Sequence, residues 1–178
     1  MAPLGLGWPN IVSVSRVLLV PVLVALIVVQ TKAAAYAATA VFVVGGLTDL
    51  LDGYLARRYG TTTVTGAWLD PLTDKLLIAA TVIALTAIGR FPVWAAVIIL
   101  IREVAVTALR VYLGSRNTSM PASRIAKWKT ASQVTAIGLY ILPLGPSADT
   151  LKLVVLSIAV AITVYSGVDY FLKARPAS

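Results

Sequence analysis

Six long apolar runs, separated by short stretches rich in glycine, proline, threonine, serine and basic residues, constrain this chain more than any other feature. They occupy residues 11–29, 33–59, 67–88, 93–113, a stretch that ends near 142, and 151–172. About 20 apolar residues in a helix cross the hydrocarbon core of a bilayer, and in lipid every backbone N–H and C=O has to find its partner inside a helix or a closed barrel. A content of 59% hydrophobic residues, with mean hydropathy +0.91 over 178 residues, excludes an ordinary soluble domain. The expected architecture is all-α, a polytopic membrane bundle of six transmembrane helices. A short N-terminal interfacial segment, residues 1–10, precedes it, with Trp8 at headgroup level and Asn10 capping the first helix. No repeat or linker divides the chain, so residues 1–178 read as a single domain. The N-terminus lacks a basic region before its first apolar run, which is therefore expected to stay as a helix and not to be removed as a signal peptide.

Charge narrows the partners. A net charge of +8 could serve nucleic acid, but beside apolar runs of this length it points to anionic lipid headgroups and phosphorylated substrates, with no nucleic acid partner. With the N-terminus inside, the inner loops receive Arg57, Arg58, Arg110, Arg116, Arg124, Lys127, Lys129, Lys173 and Arg175, and the outer ones only Lys32, Arg90 and Lys152. That bias puts both termini in the cytoplasm of a cell with a bacterial-type plasma membrane.

Four of the seven acidic residues fall in one segment, DLLDGYLARRYGTTTVTGAWLDPLTD, at Asp49, Asp52, Asp70 and Asp74. On a helix, spacings of three and four bring each pair to one face. Two such pairs facing each other form a cage of oxygen ligands. The chain contains neither Cys nor His, so the expected guests are hard cations, Mg2+ or Mn2+, and not zinc. Gly53 and Ala56 leave room for a ligand to approach the backbone, and Gly66 is a second permissive spot four residues before Asp70. Arg57 supplies a fork suited to phosphate oxygens. Carboxylates, cations and an arginine around small residues suit a phosphate ester under attack.

Written as D-x2-D-G-x2-A-R-x8-G-x3-D-x3-D, the segment resembles the signature of the CDP-alcohol phosphotransferases, integral membrane enzymes that join an alcohol to a phosphatidyl group by displacing CMP. Eight fixed residues at fixed spacing make it far more specific than a lone glycine motif. The resemblance implies two divalent ions held by Asp49, Asp52, Asp70 and Asp74, with Asp74 also the general base towards the acceptor hydroxyl. It implies that Gly53, Ala56, Arg57 and Gly66 receive CDP-diacylglycerol, that the site faces the cytoplasm, and that the protein is a homodimer.

A second block is similar to one branch of that family, the phosphatidylglycerophosphate synthases. The opening PNIVSVSRVLLVP, the segment IREVAVTALR and the later IAKWKT carry this likeness. Arg102, Arg110, Lys127 and Lys129, with Thr130 beside them, form a basic group suited to a second phosphate, and the branch makes the acceptor sn-glycerol 3-phosphate. Asn10, Ser13 and Arg16 either border the substrate pocket or cap and snorkel. Glu103 is an intramembrane acid whose partner is either Arg102 or a base on another helix. Tyr165, Asp169 and Tyr170 read as interfacial. Related readings are a phosphatidylinositol phosphate synthase or a cardiolipin synthase of the same family. Outside enzymes, a cation transporter would spread its acids along a path through the bilayer, whereas here they gather in one segment.

Overall fold

The computed structural model describes the backbone of residues 8–59, 64–114 and 124–173, and the side chains of 17–46, 75–113 and 128–173. Among the described residues there are six α-helices, one 3-10 turn and no strand. The helices are α1 (Trp8–Val29), α2 (Lys32–Tyr59), α3 (Val64–Ala87), α4 (Val93–Gly114), α5 (Arg124–Ile141) and α6 (Asp149–Lys173), the last preceded by the 3-10 turn Pro146–Ala148. Each apolar run of the sequence is thus one helix. The ends correct three expectations. Trp8 to Asn10 are already helical, so Asn10 lies in the first turn of α1 and does not precede it, while residues 1–7 of the expected interfacial segment lie outside the described residues. Pro9 suits such a first turn, where N–H groups have no intrahelical partner. Helix α3 begins three residues before the expected 67, which puts Gly66 in its first turn and not in the connection.

Local chemistry explains the breaks that are described. Gln30 closes α1 in the left-handed region at φ 56°, and the Thr31 hydroxyl accepts from the Ala34 N–H at 3.2 Å to cap α2. Gly89, at φ 72°, takes the left-handed position after α3 that costs other residues most.

The chain divides into two compact units, residues 1–88 with 141–143 and residues 89–140 with 144–178. In the first, α1 packs on α2 and α3. Leu23 and Ile27 of α1, Ala34, Ala38 and Phe42 of α2, and Leu77, Val82 and Leu85 of α3 are buried. Alanines one turn apart let helix backbones approach closely where lipid supplies no hydrophobic drive to associate. The one polar side chain buried among the described residues of this unit, Thr81, returns its hydroxyl to the Leu77 carbonyl at 2.7 Å.

In the second unit α4 lies along α6. Its buried set mixes apolar side chains, among them Ile99, Ile137, Leu156 and the edge-to-face pair Phe91–Tyr140 at 4.9 Å, with Glu103, Lys129, Gln133, Lys152, Thr163 and Ser166. Helix α6 buries polar and small residues alongside Leu156 and Val160, and exposes mostly aliphatic ones. Thr163, Ser166 and Gly167 are buried, while Leu151, Val154, Ile158 and Val168 are exposed. This inversion suits a lipid surround and would be costly in water.

Six crossings were expected from hydropathy. Among the described residues one helical segment, Pro146–Lys173, is long and apolar enough to cross a bilayer by itself. Helix α4 has the length but carries Arg102, Glu103 and Arg110. The apolar parts of α1, α2 and α3 with described side chains are shorter, at Val17–Val29, Lys32–Gly46 and Lys75–Ala87.

Candidate active site

Asp49 and Asp52, with Gly53, Ala56 and Arg57, lie on α2, and Gly66, Asp70 and Asp74 lie on α3. The motif therefore has the helical context its spacing requires. The side chains of all eight lie outside the described residues, as do those of Asn10, Ser13, Arg16 and Lys127. Backbone register carries the argument further. A Cβ on Gly45 of α2 would meet Leu77 Cδ2 of α3 at 3.1 Å, so these two positions stand opposite each other. Asp52 is seven residues after Gly45 and Asp70 seven before Leu77, about 10 Å beyond that contact in each helix at 1.5 Å per residue. Asp49 and Asp74, four after and three before, are similarly matched. The sequence offsets from that contact are thus matched between α2 and α3, while the side chains of the four aspartates lie outside the described residues. A donor set of four carboxylates, in a chain with neither Cys nor His, is of the kind that hard divalent cations take. Among the described residues no three acidic side chains gather.

The second unit collects the basic residues expected to hold the acceptor. Glu103 of α4 is 8% exposed, and its Oε1 receives both Lys129 Nζ of α5 and Arg102 Nη1, the latter at 3.4 Å. The acid's partner is therefore both its chain neighbour and a base on another helix. Arg102 also donates through Nη2 to Ser166 Oγ of α6 at 2.8 Å. Its stem passes the bare backbone of Gly167, where a Cβ would come within 3.3 Å of Cγ. Arg102 Nε is buried with no protein acceptor. An unused buried donor in so polar a cluster is a place for an oxygen of water or ligand. Two turns further along α4, exposed Arg110 donates to the Tyr170 hydroxyl of α6, and its guanidinium carbon lies 4.8 Å from the centre of the Tyr170 ring.

Three guanidinium or ammonium groups against one carboxylate leave the cluster cationic. One carboxylate shared by two bases offsets part of the cost of burying them, which would be several kcal/mol per ion if unpaired. A remaining positive charge at Arg110, which gives one N–H to Tyr170 and keeps the other donors of its fork, can receive a phosphate through paired N–H bonds.

Ser166 and Tyr170 were not singled out as site residues from the sequence. Of the three expected to be interfacial, Tyr165 is 64% exposed and Asp169 pairs with Lys173 at 2.8 Å, but Tyr170 is 3% exposed and turned onto Arg110. The signal was present as the spacing Thr163, Ser166, Gly167, Tyr170, a polar and small stripe on an otherwise aliphatic helix.

Comparison with known proteins reaches the same motif from outside. Residues 6–165 match the family model described as CDP-alcohol phosphatidyltransferase. A Mycobacterium tuberculosis protein named probable phosphatidylglycerophosphate synthase is 40% identical over 93% of this chain and 80% of its own length. The Rickettsia typhi protein named CDP-diacylglycerol--glycerol-3-phosphate 3-phosphatidyltransferase is 34% identical over 92% of this chain and 94% of its own. A rice protein named cardiolipin synthase (CMP-forming) is 32% identical over 96% of this chain and 58% of its own.

Proposed function

The chain belongs to the CDP-alcohol phosphatidyltransferase family, and from that premise we propose that it transfers the phosphatidyl group of CDP-diacylglycerol to sn-glycerol 3-phosphate. The products are phosphatidylglycerophosphate and CMP. The observation that carries this reading is likeness along more than nine-tenths of the chain to proteins named for that reaction.

Asp49, Asp52 and Asp70, with Asp74 beside them, hold two divalent ions, Mg2+ or Mn2+. When bound, such ions neutralise a diphosphate and stabilise departing CMP. Arg57 steadies the diphosphate, and Gly53, Ala56 and Gly66 admit the cytidine. Asp74 takes the proton of the acceptor hydroxyl. The acceptor oxygen then attacks the phosphorus that bears the diacylglycerol, and the bond from that phosphorus to the CMP oxygen breaks. Arg102, Arg110, Lys127 and Lys129 supply the positive charge for the acceptor's own phosphate, Arg110 as the exposed fork among the described ones. All six helices cross the membrane, with both termini and the active site on the cytoplasmic side, and the protein acts as a homodimer.

The likeness to the rice protein supports a second reading, a cardiolipin synthase whose acceptor is phosphatidylglycerol. The cationic cluster around Arg102 and Arg110 favours a doubly charged phosphate monoester over that acceptor's phosphodiester. Membranes containing the protein, given CDP-diacylglycerol and each labelled acceptor in turn, separate the cases. Label from glycerol phosphate is expected in lipid. Incorporation of inositol phosphate or phosphatidylglycerol alone would move the acceptor and retain the family chemistry.

A further inference from the structure

A guanidinium at the surface of a helix ordinarily samples many rotamers, and ordering it for a ligand costs conformational entropy. Arg110 is exposed, yet two features of one neighbour restrain it. The Tyr170 hydroxyl accepts one of its N–H groups, and the Tyr170 ring lies under the guanidinium carbon at 4.8 Å. Tyr170 is itself 3% exposed, so its ring is fixed by packing and cannot follow the arginine into solvent. An edge hydrogen bond and a face contact use one donor and leave the remaining N–H groups of the fork for other acceptors.

From this geometry we infer that Tyr170 is a positioning residue for the acceptor's phosphate. It holds the Arg110 guanidinium in place before the substrate arrives, and it touches no reacting atom. The inference rests on the proposed role of Arg110 in acceptor binding. Ser166 stands to Arg102 as Tyr170 does to Arg110, so α6 orients both arginines of α4 from one face. Tyr170 also lies beyond the segment that matches the family model.

The test is a double-mutant cycle on the full-length protein in detergent or liposomes, with CMP release followed against each substrate. Tyr170→Phe keeps the ring and its packing and removes only the hydroxyl. The expected result is a KM for sn-glycerol 3-phosphate raised about fivefold, with kcat and the KM for CDP-diacylglycerol changed less than about twofold and the unfolding temperature unchanged. In an Arg110→Ala background the same substitution should change nothing further. An unchanged acceptor KM, equal changes for both substrates, or an effect that persists without Arg110 would each overturn the positioning role. If Arg110→Ala itself leaves the acceptor KM unchanged, the pocket assignment fails. If Arg110→Ala raises it and Tyr170→Phe does not, only the present inference fails.

Discussion

The two units of the chain bury different things. Among its described residues the first, built from α1, α2 and α3, buries alanine and aliphatic side chains and one self-satisfied threonine. The second, built from α4, α5 and α6, buries a glutamate, two lysines, a glutamine and hydroxyls, of which Glu103, Lys129, Gln133, Thr163 and Ser166 are tied across helices. In the first, the acids proposed to bind ions fall in one continuous segment, at helical spacing on α2 and α3. In the second, the contacts Arg102–Ser166, Lys129–Glu103 and Gln133–Thr163 join residues 26 to 64 apart, while Lys152 pairs with Asp149 of its own helix. A site built from local spacing tolerates an apolar scaffold, whereas one built from distant partners must bring its polarity into the scaffold itself.

Substitution can break this contrast at several points. The largest effects belong to the aspartates. Asp49→Ala, Asp52→Ala, Asp70→Ala and Asp74→Ala should each lower turnover about a thousandfold or more with the unfolding temperature little changed, as the proposed ion-binding role requires. Loss of fold in these variants would mean that the motif is structural. Next comes Glu103→Ala, which removes the carboxylate shared by Arg102 and Lys129 and should destabilise the protein by about 3 kcal/mol, read from unfolding in detergent. A neutral result would place both bases in solvent contact.

Smaller, and more selective, are Arg110→Ala and Lys127→Ala. Each is expected to raise the KM for sn-glycerol 3-phosphate about tenfold while leaving that for CDP-diacylglycerol within about twofold. An effect confined to the lipid substrate would move the acceptor pocket elsewhere. The smallest effects come from a matched pair of glycines. Gly45→Ala meets the mobile end of Leu77 at 3.1 Å and should change stability by less than about 1 kcal/mol. Gly167→Ala meets the stem of an arginine held at both Glu103 and Ser166, and should raise the acceptor KM two- to threefold through displaced Arg102. Equal behaviour of the two would erase the distinction between an apolar and a polar seam.

The same contrast governs what could be read before folding. Helix number and most helix ends follow from hydropathy and from Gly89, Pro92 and Pro143, because these breaks are local. The aspartate motif is legible for the same reason, its register being set by the 3.6-residue repeat within each helix. The start of α1 at Trp8 was missed because Pro9 and Asn10 look like a loop and a cap, although both fit a first helical turn. Tyr170 was read as a membrane-interface anchor because tyrosines near a helix end commonly are. Its burial on Arg110 follows from α6 lying along α4, which the order of residues along the chain does not state. Glu103 had two possible partners in sequence and engages both, since a carboxylate oxygen has room for more than one donor.

The measurement that tests the account most directly is CMP release from CDP-diacylglycerol by purified protein with Mg2+ or Mn2+, titrated with sn-glycerol 3-phosphate, in wild-type and Arg110→Ala protein side by side. The account predicts release that saturates with glycerol phosphate in both proteins, to the same plateau, with the half-saturating concentration about tenfold higher in the variant. Release indifferent to glycerol phosphate in the wild type, or a variant that loses its plateau while keeping the wild-type half-saturation, would contradict it.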